Sequence, residues 1–304
     1  MSVWLIAGPT ASGKSAVALE LARQTGGEVV NADSMQLYAD LRILTARPSP
    51  KDEAEAPHHL FGVADAAEAW SVGRWLAAAL PILTDIEARG RTAIVVGGTG
   101  LYFRALTLGL AAIPPTPAAV RTRIQADYDR LGEAAFRERL RAVDPPAAGR
   151  IAPADRQRLT RAQEVVEATG RALSDWHGET VPPLPREAWT GVVLALPRPD
   201  LYARIEARLE AMAAGGARAE VAALMARGLD PRWPTMKALG VRSFAAELAG
   251  LLSPTEALAE AKAETRRYAK RQITWFEHQA ADWSRAEAGE GLAEIGKILR
   301  RAAP

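Results

Sequence analysis

"LIAGPTASGKSAVALELA", residues 5–22, carries an apolar run into a glycine-bracketed turn and out into a helical pattern. Within it Gly8, Pro9, Thr10, Ala11, Ser12, Gly13, Lys14 and Ser15 fit G-x-x-x-x-G-K-[ST], with the strand before and the helix after that make this pattern a phosphate loop. The two glycines allow a tight turn whose N–H groups point inward, and Lys14 brings a mobile cation. Ser15 offers a hydroxyl to a Mg²⁺ ion at the helix N-terminus. Two linked phosphates fit such a cradle. The cradle names no reaction, because kinases, NTPases and other transferases share it.

Working outward, "VWLIA" at 3–7, "EVVNA" at 28–32 and "TAIVV" at 92–96 read as short buried strands, with helical spacing at 14–24 and 70–89 between them. Strands alternating with helices predict a parallel sheet covered on both faces. A fourth strand, "GVVLALP" at 191–197, comes much later, and the proline-rich stretches "IPPTP" (113–117) and "VPPLP" (181–185) bracket what lies between. There the spacing is helical and rich in Arg, as in "VRTRIQADYDRLGEAAFRERLRAV". The expected architecture is α/β: a P-loop NTPase-like parallel sheet flanked by helices, with a helical insertion subdomain. Residues 1–113 form the first part of the core, 114–186 the insertion, and 187–304 the last strand and C-terminal helices. Everything after 197 reads as helix.

Composition narrows the chemistry. With no Cys in 304 residues, disulfides and thiolate catalysis are excluded. No apolar run approaches the ~18 residues of a membrane span, and "MSVWLIAG" lacks a signal peptide's basic start, so a soluble, cytoplasmic protein is expected. His58 and His59 follow Pro57 and read as a structural turn; His177 and His278 are isolated, without metal-ligand spacing. A net charge of +2 demands no polyanionic partner. Locally, "KAETRRYAKRQITW" at 262–275 sets Lys262, Arg266, Arg267, Lys270 and Arg271 against Glu264, and reads either as a solvated helix face or as a phosphate-contacting one.

P-loop NTPases usually hold Mg²⁺ through an Asp that closes a buried strand. Here "AIVV" runs instead into Gly97, Gly98, Thr99 and Gly100. An acid does follow the second strand, in "NADSMQLY" at 31–38. The carboxyl end of a strand beside the phosphate loop faces the ligand crevice, so Asp33 stands where a general base belongs, or else Asp33 or Ser34 caps the next helix. Thr99 opens onto the same crevice or is a plain cap.

Taken in order, "GPTASGKS", "NADSMQLY", "TARPSPKDEAEAPHHLFGV", "GRTAIVVGGTGLYFRAL", "RQRLTRAQEV", "LYARIEARLEAM" and "ETRRYAKRQITWF" resemble the bacterial tRNA dimethylallyltransferases over nearly the whole chain. The resemblance implies transfer of a dimethylallyl group from dimethylallyl diphosphate to the exocyclic amine of the adenosine 3′ of the anticodon, in tRNAs reading codons that begin with U. It implies a monomer whose partners are a tRNA anticodon stem-loop and dimethylallyl diphosphate, with Mg²⁺ as cofactor and no membrane. Asp33 and Thr99 then take catalytic positions, and Gly8, Thr10, Ala11, Ser12, Gly13, Lys14, Ser15 and Arg204 bind the diphosphate. Ser15 ligates Mg²⁺, with Asp33 a second candidate ligand. The tRNA contacts implied are Asp33, Ser34, Met35, Gln36, Thr99, Arg121, Gln157, Arg158, Leu159, Thr160 and Arg161, and the basic 262–275 segment becomes a phosphate-contacting face. The competing readings are a P-loop small-molecule kinase with the insertion as its lid, and prenyl transfer to free adenine nucleotides.

Overall fold

Val3–Ala7 (β1) is buried at every position, as a strand with no polar face must be when helices cover both sides of its sheet. The computed structural model describes residues 3–176, 178, 180–287 and 296–297; His177 lies outside them. After β1 the chain runs through α1 (Lys14–Thr25), β2 (Glu28–Asn31), α2 (Pro50–Glu55), β3 (His58–His59), α3 (Val72–Ala88), β4 (Ala93–Gly97) and α4 (Gly100–Leu108). Four helices follow: α5 (Ala118–Val143), α6 (Pro145–Arg150), α7 (Arg156–Thr169) and α8 (Leu173–Trp176). The last stretch is β5 (Trp189–Ala195), α9 (Arg198–Ala214), α10 (Ala217–Ala226), α11 (Val241–Leu248), α12 (Pro254–Gln279) and β6 (Ser284–Glu287).

The strands form one parallel sheet in the order β3-β2-β4-β1-β5-β6. Along β1 the side chains alternate: Leu5 joins Val95, Trp75 and Phe103 on one face, while Ile6 joins Val17, Leu21 and Ile94 on the other. The register sets Ala7 opposite both Gly97 and Val193, and Asn31 opposite Val96. The loops after β1, β2 and β4 therefore open at one edge of the sheet, the carboxyl ends where α/β folds hold their ligands.

Three expectations are corrected. His58 and His59 form a short edge strand rather than a turn, paired through Val29–His58 and Val30–His59, and two residues are too few to show a period. The region after 197 is not all helical, because Ser284–Glu287 adds the opposite edge strand, and its polar sequence, with only Ala286 buried, hides it. The long helical run after Leu201 divides at Gly215 and Gly216, the latter at φ 110°, into α9 and α10. Ahead of α11 the chain makes a 3-10 turn at Thr235–Lys237.

By internal contacts the chain makes two compact units, Met1–Thr107 with Leu184–Pro304, and Leu108–Pro183, against the 114–186 expected for the insertion. The second unit has its own core of Ile124, Phe136, Leu140, Leu159 and Ala162, and α5 bends at Gly132, which adopts φ 75°. Among its described residues it holds helices and no strand.

Candidate active site

The phosphate loop closes on itself between β1 and α1. The Ser12 N–H and the Lys14 ammonium both donate to the Pro9 carbonyl, each at 3.2 Å. A Cβ on Gly8 would stand 3.0 Å from the Leu194 carbonyl oxygen and 2.9 Å from Ser12 Oγ, so the close approach of the loop to β5 requires glycine. Gly13, at φ 90°, turns the chain into α1 without a side-chain cap and with no acid in the first turn, which leaves the helix N-terminus open to an anion. Ser12 Oγ is buried with no hydrogen-bond partner, as a group shaped for a bound ligand is. Thr10 is held from two sides: its N–H donates to Gln272 Oε1 at 2.8 Å, and its hydroxyl oxygen accepts from Arg208.

Two residues beyond β2, Asp33 is fixed through Asn31. Asn31 Oδ1 accepts the Asp33 N–H at 2.7 Å, and Asn31 Nδ2 donates to the Asp33 and Leu60 carbonyls at 3.0 and 2.9 Å. Asp33 Oδ1 accepts the Met35 N–H at 3.0 Å, a local turn that leaves Oδ2 turned toward the loop after β4, 3.5 Å from where a Gly98 Cβ would stand. In that loop Thr99 Oγ1 accepts the Ser34 N–H at 2.9 Å and lies 3.3 Å from Ser34 Oγ, joining the ends of β2 and β4. Each glycine there is a close approach: a Cβ on Gly97 would enter the Ala32 backbone, one on Gly98 the Gln272 amide, and one on Gly100 the Trp275 ring.

The electrostatics centre on Asp33. Burial pulls the Lys14 ammonium down to about 8, with Arg208 pulling the same way and Asp33 opposing. Burial also lowers Arg208, again against Asp33. The phenols of Tyr102 and Tyr268 are pushed up, first by burial and then by the Asp33 charge. One carboxylate is thus felt by two cations of the phosphate cradle and by two phenols.

Some expected side chains lie elsewhere. Arg204 is exposed at the rim, its Nη1 3.8 Å from where a Cβ on Gly13 would stand, whereas Arg208, one turn later, reaches Thr10. Sequence reasoning missed Arg208, although "RIEAR" places both arginines on one helix face. It also missed Gln272, which the basic stretch around it obscured. Gln36 is 9% exposed and spends its amide on the Thr45 and Ala46 carbonyls, at 2.9 and 3.0 Å. Within the second unit, Gln157 and Arg158 are exposed on the first turn of α7, and Arg121 is exposed on α5. Leu159 belongs to that unit's core, and the buried Thr160 hydroxyl donates to the Arg156 carbonyl at 2.9 Å. Arg161 donates to Thr116 Oγ1 at 2.7 Å. On α12, Lys262 and Arg266 are paired with Glu210 and Glu206 of α9, and Arg267, Lys270 and Arg271 stand exposed.

Among the described residues no group of three His, Cys, Asp or Glu stands ready to cage a metal ion, and no helix is long and apolar enough to cross a membrane. A Mg²⁺ bound mainly by substrate phosphates needs only one or two protein oxygens. The exposed Ser15 at the start of α1 and the carboxylate of Asp33 are of that kind, and the open helix N-terminus and orphaned Ser12 hydroxyl beside them suit the diphosphate that would carry the ion.

A family model described as IPP transferase matches residues 36–279, and one described as isopentenyl transferase matches 1–57. The tRNA dimethylallyltransferase of Phenylobacterium zucineum is 62% identical over 98% of this chain and 96% of its own. That of a Caulobacter species is 58% identical over 99% and 96%. Among solved structures, the tRNA isopentenylpyrophosphate transferase of Bacillus halodurans superposes with a TM-score of 0.71 at 31% identity, covering 99% of this chain and 96% of that one. A eukaryotic dimethylallyltransferase acting on tRNA gives 0.80 at 26% identity, over 94% and 74%. With the match spanning the sheet ends that build the site as well as the helices after it, this chain belongs to the IPP transferase family.

Proposed function

We propose that this protein transfers a dimethylallyl group from dimethylallyl diphosphate to the exocyclic amine of the adenosine 3′-adjacent to the anticodon, in tRNAs reading codons that begin with U, as a monomeric cytoplasmic enzyme. The observation that carries this reading is Asp33 facing a phosphate cradle that has no strand-end acid: the loop grips a diphosphate that leaves, and the carboxylate stands where an attacking amine sheds its proton. The amine nitrogen forms a bond to the allylic carbon as the carbon–oxygen bond to the diphosphate breaks. The bonding pair leaves with the diphosphate, and the amine proton passes to Asp33. Lys14, Arg208, the Thr10 and Ser12 hydroxyls and the first amides of α1 stabilise the charge that grows on the leaving oxygen, and Arg204 adds a cation at the rim. Ser15 and Asp33 would hold Mg²⁺ against the diphosphate, where it supplies further neutralisation of negative charge. Thr99, through Ser34, fixes the Asp33 turn against the loop after β4, which matters because an aromatic amine is a poor nucleophile and needs a well-placed base.

On the RNA side, Asp33, Ser34 and Met35 flank the place of an adenosine splayed from the anticodon loop, and Gln36 holds that segment from behind. Arg121, Gln157, Arg158 and Arg161, with Arg267, Lys270 and Arg271 of α12, serve as backbone contacts.

The test is incubation with Mg²⁺, labelled dimethylallyl diphosphate and an anticodon stem-loop carrying adenosine 3′ of the anticodon. Label on that adenosine is the expected result. Label on a free adenine nucleotide alone, or ATP-dependent phosphorylation of a small acceptor without transfer to RNA, overturns it.

A further inference from the structure

Along α12 the buried stripe runs Ala257, Ala261, Thr265, Ala269, Gln272 and Phe276, and Gln272 brings the largest polar side chain into it. A buried amide costs free energy unless both of its ends are bonded. Gln272 is 5% exposed, and both of its ends are satisfied by backbone groups from different loops: Oε1 accepts the Thr10 N–H at 2.8 Å, and Nε2 donates to the Gly98 carbonyl at 2.9 Å. These are the loops after β1 and β4. The first holds the diphosphate cradle; the second leads directly into Thr99, which bonds Ser34 next to Asp33. Gly98 has no room for a side chain because the Gln272 amide fills that space, so the glycine and the glutamine are one feature.

We infer that Gln272 is a positioning residue that sets the separation between the diphosphate loop and the Thr99–Asp33 side of the site, without itself touching the reacting atoms. It also withdraws the Thr10 N–H from the cradle and fixes the loop at that residue, so that Thr10 meets the ligand through a hydroxyl already held by Arg208. The reaction needs the allylic carbon and the amine nitrogen brought to near-contact distance, so a small change in this separation reaches both binding of the diphosphate and the chemical step. A residue that merely filled space on α12 would lower the folded fraction and leave both Michaelis constants alone.

The inference rests on the proposed function, and the wild-type protein is the control that separates the two. Wild type, Gln272→Met and Gln272→Glu are compared by thermal melting and by kcat and KM for dimethylallyl diphosphate and for the anticodon stem-loop. Met keeps the length and loses both bonds; Glu keeps the acceptor for the Thr10 N–H and turns a carboxylate toward the Gly98 carbonyl. Both variants are expected to melt a few degrees below the wild type, because each strands a buried backbone group, and to remain folded at the assay temperature, with KM for the diphosphate raised about tenfold, kcat per folded molecule lowered by about ten- to a hundredfold, and KM for the stem-loop within about twofold. A folded variant with wild-type kcat and diphosphate KM overturns the inference, as does turnover lost in proportion to the folded fraction with both KM values unchanged. An inactive wild type overturns the function itself and the assignment with it.

Discussion

Burial brings the Lys14 ammonium into an accessible titration range. It sits at about 8 before any ligand arrives, with burial outweighing the attraction of Asp33. The protonated form is the one that binds a diphosphate, so KM for dimethylallyl diphosphate should be flat below about pH 8 and rise above it, while Lys14→Arg should remain flat through pH 9; a pH series of initial rates checks both. The stability of the free protein moves oppositely. The folded-state value lies below the unfolded 10.5, so the unfolded chain binds more protons between the two, and stability rises with pH across that window. Asp33→Asn removes the proton acceptor and keeps the shape, so kcat should fall by about 10²- to 10⁴-fold while stem-loop affinity, measured by filter binding, is retained. Arg208→Ala should raise the diphosphate KM more than Arg204→Ala, because only Arg208 is anchored at Thr10. These residues show what the sequence could disclose at this scale. Lys14 and Asp33 were legible because a spacing or a strand end predicts where they point. Gln272 and Arg208 were not, because their roles come from tertiary packing of α12 and α9 against loops far away in the chain.

At the scale of elements, the strands that were legible are the central ones, whose apolar runs reflect burial on both faces. The edge strands β3 and β6 carry His-His and Ser-Arg-Ala-Glu, sequences fixed by pairing at the rim of a sheet already formed. The β3 edge also explains a buried acid far from the chemistry. Glu28, at the start of β2, is 1% exposed and accepts from Arg89 Nη2 at 2.9 Å, with His59 Nε2 at 2.7 Å. The Arg89 hydrogen bonds, joined by His59, outweigh burial and hold its carboxyl down at about 2. A depressed carboxylate contributes stability above its unfolded value near 4.5 and loses it as pH falls toward 2, so acid unfolding of the wild type should steepen in that window. Glu28→Ala removes the acceptor that ties Arg89, which stays paired with Asp85, and His59 to the start of β2, and should cost about 2 kcal/mol at neutral pH in urea denaturation, with the acid dependence flattened.

For the whole molecule, the question is what RNA changes in a chain built as two compact units. The Leu108–Pro183 unit carries its own core, with Leu159 and Ala162 of α7 packed on Ile124 and Phe136 of α5, so its internal hydrogen bonds should exchange at rates set by that core alone. Its Gln157, Arg158 and Arg121, proposed above as RNA contacts, are exposed and lie outside that packing. The proline-rich stretches at 113–117 and 181–185 lie near the two ends of that unit, and such segments are stiff and extended. Hydrogen exchange followed by mass spectrometry, with and without a saturating anticodon stem-loop, separates these regions. Protection should appear in the peptides spanning the two proline-rich segments, in the first turn of α7, and on α12 around Arg267–Arg271, while peptides covering Leu159–Val165 and Phe136–Leu140 stay unchanged. Equal exchange throughout 113–185 in the two states would remove that unit from the RNA interface and leave recognition to the α12 face and the loop after β2. Slower exchange in the Leu159–Val165 core would mean instead that RNA binding tightens the packing of the unit itself.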